Sequence, residues 1–439
     1  MEKINQQCAG LDVGSDKVFM SPDGVEVFRY ETFTADFRDL VNQLQELCIS
    51  TVAMEATGVY WVILYEMIQA VGIDVYLVDG QQTKQVPGRK TDVKDAQWIQ
   101  QLHSYGLLNR CHVTTGQIQT LKVYQRLRED HISQASMHVN HMQKALIQMN
   151  IRLPEVLSQV HGKSGLAIIK AILAGERDKQ TLLQLCETSI IKRKGLQVLK
   201  ALEGFYKEEQ LFALKQAYDG YEFYQNQVAQ CDQQLDSILT EISKNKAEVE
   251  VPTKRKVIRH HKPQVQDLAK KLLKISEGKD PTILPGITDY SQLKLLGELG
   301  ADLSKWPSEK QFTNWLGLAP GQNNSGKRRK NKSKRGTFTA GQIFRQSATS
   351  LLESKSIALG AFGRRLKSKK SSPIAIKATA RKLAEMYWRL MVKGSNYVEK
   401  GVQHYENQLI NQRIKYVHKL AKQLNMTVSY NTNNALKQS

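Results

Sequence analysis

The stretch Thr51-Val-Ala-Met-Glu-Ala-Thr-Gly-Val-Tyr-Trp61, with its continuation to Val78, decides the fold. Thr51 to Glu55 reads as a buried strand that ends in a carboxylate. Thr57-Gly58 breaks the run, and Val59 to Val71 resumes as an apolar helix. Asp74-Val-Tyr-Leu-Val78 is the next strand. Upstream, Cys8-Ala-Gly-Leu-Asp-Val-Gly14, Lys17-Val-Phe-Met20 and Val25-Glu-Val-Phe28 read as strands, and residues 34–48 read as a helix. Strands alternating with helices imply an α/β layer around a largely covered sheet.

Downstream of Val78 a Gly/Gln/Pro loop leads to Gly88-Arg-Lys-Thr-Asp-Val-Lys-Asp-Ala96. Ala96, Ile99 and Leu102 then recur at helical spacing, which puts Asp92 and Asp95 on nearly one face of a helix start. The helix dipole alone favours acids there. Asp12 is polar inside an otherwise apolar strand, and Glu55 closes another at an edge where loops build sites. A buried carboxylate needs a partner or a metal. One reading pairs Asp12 and Glu55 with Lys17 or Lys90. The other has Asp12, Glu55, Asp92 and Asp95 hold divalent cations as nucleases do, and oxygen donors suit Mg²⁺ or Mn²⁺ over zinc.

Lys and Arg number 63 against 42 Asp and Glu, a formal excess of +21 over 439 residues. Length predicts two or three domains, and charge predicts a partner rich in phosphate. No apolar run reaches the roughly 18 residues that span a bilayer, and no signal-like stretch opens the chain. The five cysteines lack CxxC spacing, which fits reduced thiols. The expectation is an intracellular protein that binds nucleic acid, without a membrane.

Residues 113–245 read as helical. Ile132, Ala135, Val139, Met142, Leu146 and Met149 form one heptad seam; Tyr221, Tyr224, Val228, Cys231, Leu235, Ile238 and Ile242 form a second. Such seams pair within a chain or between two. His131, His138 and His141 lack metal-ligand spacing and read as a solvated polar face. Residues 246–275 read as a basic linker with Lys254, Arg255 and Lys256 as candidate phosphate contacts, Pro252 and Pro263 flanking the charge run. Ile283-Leu-Pro-Gly-Ile287 then reads as a hairpin feeding a short helix, a helix-hairpin-helix shape that meets phosphate with backbone N–H groups.

Ser325 stands before Gly326, and seven of the nine residues from Lys327 to Arg335 are basic. Cations beside a hydroxyl and a phosphate stabilise both the alkoxide and the charge of the transition state. A lone Ser-Gly has little specificity, and Ser333, Thr337 and Ser347 are rival hydroxyls. Lys327, Arg328, Arg329, Lys330, Lys334, Arg335, Arg364 and Arg365 complete the candidate nucleic-acid residues. Residues 337–395 read as packed helices, and the Asn-rich tail from Thr427 as frayed.

Gly10-Leu-Asp-Val-Gly-Ser15, Met54-Glu-Ala-Thr-Gly-Val-Tyr-Trp61 and Lys90-Thr-Asp-Val-Lys-Asp-Ala96 resemble the first domain of DEDD-type insertion-sequence transposases. These are recombinases of the IS-one-ten and IS-eleven-eleven groups, the RNA-guided bridge recombinases. Leu284-Pro-Gly286, Trp315-Leu-Gly-Leu-Ala-Pro320, Asn324-Ser-Gly326 and Ser333-Lys-Arg-Gly336 follow the order of the family's transposase domain. The resemblance implies a RuvC-like, ribonuclease H type domain over 1–112, a helical or coiled-coil insertion over 113–245, and a mostly helical transposase domain over 276–395. A terminal helix and tail fill 396–439. It further implies that Asp12, Glu55, Asp92 and Asp95 bind Mg²⁺ or Mn²⁺ and that Ser325 is the nucleophile in a covalent serine–DNA link. The implied partners are element and target DNA, a noncoding guide RNA, and further copies of the chain as a dimer or a synaptic tetramer. A metal-dependent junction nuclease using water and a non-catalytic nucleic-acid scaffold are the two rival expectations.

Overall fold

The computed structural model describes residues 2–83, 92–252, 254–320, 323–325, 328–330, 339–354 and 357–429. The chain separates into two compact units, Met1–Val113 and Thr114–Ser439. Among the described residues no helix is long and apolar enough to cross a membrane.

The first unit holds β1 (Cys8–Val13), β2 (Lys17–Ser21), β3 (Phe28–Glu31), α1 (Thr34–Glu46), β4 (Thr51–Glu55), α2 (Trp61–Ala70), β5 (Asp74–Val78), α3 (Gly80–Thr83) and α4 (Asp92–Ser104). The sheet order is β3-β2-β1-β4-β5. The first three strands pair antiparallel, and β1, β4 and β5 pair parallel. Period-two alternation sends Leu11, Val13, Val52, Met54, Val75 and Leu77 to one face, where Leu40 and Leu44 of α1 and Leu64 and Ile68 of α2 cover them. The opposite face takes α4: Ala53 and Val78 pack with Ile99. Gly10 lets that helix come close, since a Cβ there would lie 2.5 Å from the Ala96 carbonyl oxygen.

The third strand forms at Phe28–Glu31, three residues later than the expected Val25–Phe28. The Asp23 carboxylate accepts hydrogen bonds from the Val25 and Glu26 N–H groups, both at 2.8 Å, and Gly24 takes φ +85°. This turn uses up the β-prone residues that suggested a strand.

The second unit is helical. α5 (Gly116–Gln148) runs out, α6 (Leu153–Val156), α7 (Lys163–Leu173), α8 (Lys179–Gln184) and α9 (Thr188–Ala201) cap it, and α10 (Glu208–Ser243) returns. Leu121 near the start of α5 clusters with Leu235 and Leu239 near the end of α10, while Met149 clusters with Leu214 and Ala217. The two seams therefore pair antiparallel within one chain. His141 is exposed, but His131 and His138 are half-buried against the Tyr224 ring, with centroids 5.8 and 5.6 Å away. The solvated face expected for all three holds only for His141.

The chain continues through α11 (Leu268–Ile275), a 3-10 turn at Pro281–Ile283, α12 (Asp289–Leu299), α13 (Glu309–Trp315), the hairpin strands β6 (Asn323–Ser325) and β7 (Arg328–Lys330), then α14 (Thr339–Glu353), α15 (Ala358–Lys369), α16 (Ser372–Lys393) and α17 (Ser395–Gln423). Leu284, Ile287, Phe312, Phe344, Leu383 and Trp388 form the core of this part. At the base of the long pair a buried ion pair, Arg128 to Asp232 at 2.6 Å, joins α5 to α10, and Arg128 also donates to the Tyr290 hydroxyl of α12 at 2.9 Å. Of the tail expected from Thr427, residues 430–439 lie outside those described.

The expected basic linker is instead packed into this unit. It contains α11, and Arg255 pairs with Asp280 at 2.6 Å and Asp289 at 3.5 Å. The Lys256 ammonium donates to the carbonyls of Thr282, Leu284 and Ile287, and desolvation pulls its pKa down to about 8. Lys256 holds the Leu284-Pro285-Gly286 turn, in which Gly286 takes φ +77°, and Arg255 braces the residues on either side of it.

Candidate metal centre and nucleic-acid residues

Three of the four expected acids come together. Carboxylate oxygens of Asp12, Asp92 and Asp95 all lie within 4.8 Å of one another. The cause is local. Asp12 is two residues beyond Gly10 on the sheet face that receives α4, and the close approach at Gly10 seats α4 with its first turn beside Asp12. The three-residue spacing then turns both α4 acids the same way. Asp12 and Asp95 are half-buried, and Asp92 is exposed. Every donor of the group is a carboxylate oxygen, a set that fits Mg²⁺ or Mn²⁺.

Glu55 stands outside that group. It follows Met54, which pairs with Leu11, so Glu55 and Asp12 extend adjacent parallel strands on one face. Its Oε2 accepts a hydrogen bond from the Thr83 hydroxyl at 2.5 Å. Gly80 backs the same carboxylate, since a Cβ there would stand 3.0 Å from the Glu55 carboxyl carbon. The Trp98 indole on α4 donates to the Thr83 carbonyl at 3.2 Å. Thr83 thus bridges the fourth acid to the helix carrying two others. No sequence signal marked Thr83, a short polar residue beside a loop. Lys90, the suggested alternative partner, lies outside the described residues.

His103 also went unmarked. It is buried at the far end of α4, its Nε2 3.0 Å from the Thr51 hydroxyl and its ring against Tyr76. Desolvation, the leading cause, drives its pKa down to about 4. It fixes α4 to the β4–β5 edge as a neutral ring.

Ser325 ends β6, in register with Arg328 of β7; Asn324 pairs with Arg329 and Asn323 with Lys330. For these strands the backbone alone is described, and Lys327, Ser333, Lys334, Arg335 and Thr337 lie outside the described residues. Ser347, a rival hydroxyl, is buried in α14. Of the other candidate phosphate contacts, Lys254 and Arg365 are exposed, and Arg365 donates to the Gln412 side-chain oxygen at 2.8 Å. Arg255 and Lys256 are engaged internally as described. Arg364 donates to the carbonyls of Leu352 and Ser354 at the end of α14.

Residues 9–151 match the family model of the DEDD transposases of the IS110 type, described as a transposase. Residues 282–359 match the model of the transposase IS116/IS110/IS902 family. No curated protein matches the chain. The first match spans the strands and helix that carry all four acids, and the second spans the Leu284 turn and the β6–β7 hairpin. The chain belongs to the IS110 family of DEDD transposases, whose insertion-sequence transposition and recombination act on DNA.

Proposed function

We propose that the chain cuts and rejoins insertion-sequence DNA through a covalent serine–DNA intermediate, with Asp12, Glu55, Asp92 and Asp95 as the metal-binding set. The observation that carries this reading is the convergence of Asp12, Asp92 and Asp95 within 4.8 Å on one sheet face. The sheet order β3-β2-β1-β4-β5, with its antiparallel and parallel halves, supports a RuvC-like, ribonuclease H type domain. Mg²⁺ or Mn²⁺ held there would supply charge stabilisation to a scissile phosphate.

Ser325 attacks phosphorus through Oγ: the P–Oγ bond forms, the bond to a deoxyribose oxygen breaks, and that oxygen takes up a proton as the serine loses one. One phosphodiester replaces another, so rejoining needs no ATP. The basic residues from Lys327 to Arg335 offset the charge that grows on the phosphate. The excess of +21 supports a second polyanion, a noncoding guide RNA whose base pairing selects the target while the protein reads backbone shape. Ser325 acts in its own protomer or in that of a neighbour.

The test is a trapping assay. Protein with its copurifying RNA is mixed with end-labelled junction DNA and Mg²⁺, then resolved on a denaturing gel. A protein-linked band lost in Ser325→Ala and in Asp92→Ala is expected. Free nicked DNA without an adduct, unchanged by Ser325→Ala, would leave the junction nuclease instead. Binding without Mg²⁺-dependent breakage would leave the scaffold.

A further inference from the structure

Along α17, Ile410, Ile414, Val417, Ala421 and Leu424 recur at intervals of four, three, four and three. That 3.5-residue period is the a/d pattern of a coiled coil, and it draws one stripe about 21 Å long at about 1.5 Å per residue. The d positions are the open ones: Ile410 is 51 % exposed, Val417 48 % and Leu424 66 %, while Ile414 and Ala421 at a are half-buried. Within the first turn of the stripe, at the outer f position, Gln412 ties the helix to α15 through Arg365. Helices of this kind owe most of their stability to packing an apolar face, so an open stripe of this regularity calls for a cover.

The charges say what the cover is. From Asn407 to Ser429 the chain has no acid and four permanent cations, Arg413, Lys415, Lys419 and Lys422. With Ile410, Val417 and Leu424 at d, Lys415 and Lys422 fall at b and Lys419 at f, the outermost positions. The positions flanking the seam are Asn411 and His418 at e, Arg413 and Leu420 at g. An acidic amphipathic partner would be met by cations beside the seam, where this helix carries only Arg413. A nucleic-acid strand would use the lysine face and leave the stripe in water. Two identical helices bury both stripes and turn their lysines away from each other.

We propose that α17 pairs with α17 of a second copy of this chain through this two-heptad seam. Val417 is the middle of the five positions, so it meets its own counterpart whether the helices run parallel or antiparallel. This contact is separate from the α5–α10 pair, whose seams are closed within one chain.

The test uses the full-length chain in a Cys48→Ser background, because Cys48 is an exposed thiol. Val417→Cys and Lys419→Cys are compared under mild oxidation on a non-reducing gel, without DNA. At least tenfold more disulfide-linked dimer from Val417→Cys is expected. Equal linking at both positions, or none at either, would overturn the seam. In sedimentation velocity, Val417→Asp with Leu424→Asp should weaken self-association at least tenfold; an unchanged distribution would also overturn it. Neither readout involves strand cleavage, so failure here is distinguishable from failure of the recombinase chemistry.

Discussion

The Thr83 hydroxyl donates to the Glu55 carboxylate at 2.5 Å while the Trp98 indole, on the helix that carries Asp92 and Asp95, holds the Thr83 carbonyl. Glu55 is therefore oriented from the rim of the acid group, by a residue that is not itself an acid. Outer hydrogen bonds of this kind fix a ligating carboxylate's direction, and losing one typically costs about 10–100-fold in metal affinity. Thr83→Val should weaken Mn²⁺ binding by about tenfold in calorimetry, and Thr83→Ser should restore it. Equal affinity in all three proteins would remove Glu55 from the ligand set.

Gly10 controls the approach of α4. Any side chain there meets the Ala96 carbonyl at 2.5 Å and the Gln100 Cα at 2.8 Å, and both are backbone atoms that cannot rotate aside. Gly10→Ala should push α4 off the sheet, costing about 1–3 kcal/mol as overpacking. It should also separate Asp12 from Asp92 and Asp95. Urea unfolding gives the first effect and Mn²⁺ titration the second. A variant as stable as the parent with unchanged Mn²⁺ affinity would refute the close-approach account.

Much of this was readable in the sequence because it obeys short periods. β4 and β5 form at Thr51–Glu55 and Asp74–Val78, where runs of apolar residues are bounded by turn residues. The start of α4 follows from Ala96 and Ile99 at helical spacing, and the apolar seams of α5 and α10 from their heptads, whereas the antiparallel pairing of the two within one chain did not. What escaped depends on contacts distant in sequence. Arg255 and Lys256 look like a solvated charge run until Asp280, Asp289 and the Leu284 turn are brought to them. Thr83 gains its role only when β4 and α4 are both in place. The turn at Asp23 wins over the β propensity of Val25 and Val27 because one side chain satisfies two backbone donors.

His103 gives the first unit a pH dependence of known sign. Its ring ionises near 6.5 in an unfolded chain and at about 4 in the fold. Above the higher value both states hold it neutral, and the fold loses nothing. As pH falls from 6.5 toward 4 the unfolded state takes up the proton first, so stability declines across that window. The gap corresponds to about 3 kcal/mol at most. His103→Gln, which keeps a polar partner for the Thr51 hydroxyl, should remove this component. Urea midpoints at pH 7 and 4.5 should therefore converge between parent and variant as pH falls; a constant difference would reject it.

The acid group sets up opposed effects on stability and metal response. Carboxylates of Asp12, Asp92 and Asp95 within 4.8 Å repel one another when ionised, by on the order of 1 kcal/mol per pair where water screens them. Removing one charge without changing shape, as in Asp92→Asn, should therefore raise the melting temperature of the metal-free protein. The same change should lower the gain on adding Mg²⁺, because a cation that binds only the folded state stabilises by about 2.7 kcal/mol at a hundredfold excess over its dissociation constant. Asp12→Asn and Asp95→Asn should likewise lower the Mg²⁺ gain. Glu55→Gln should reduce the Mg²⁺ gain without the metal-free increase, since Glu55 lies outside the close group and accepts from Thr83. Thermal melts with EDTA and with Mg²⁺ separate these outcomes. If all four variants melt below the parent in EDTA and match its Mg²⁺ response, the acids are structural and the metal centre is wrong.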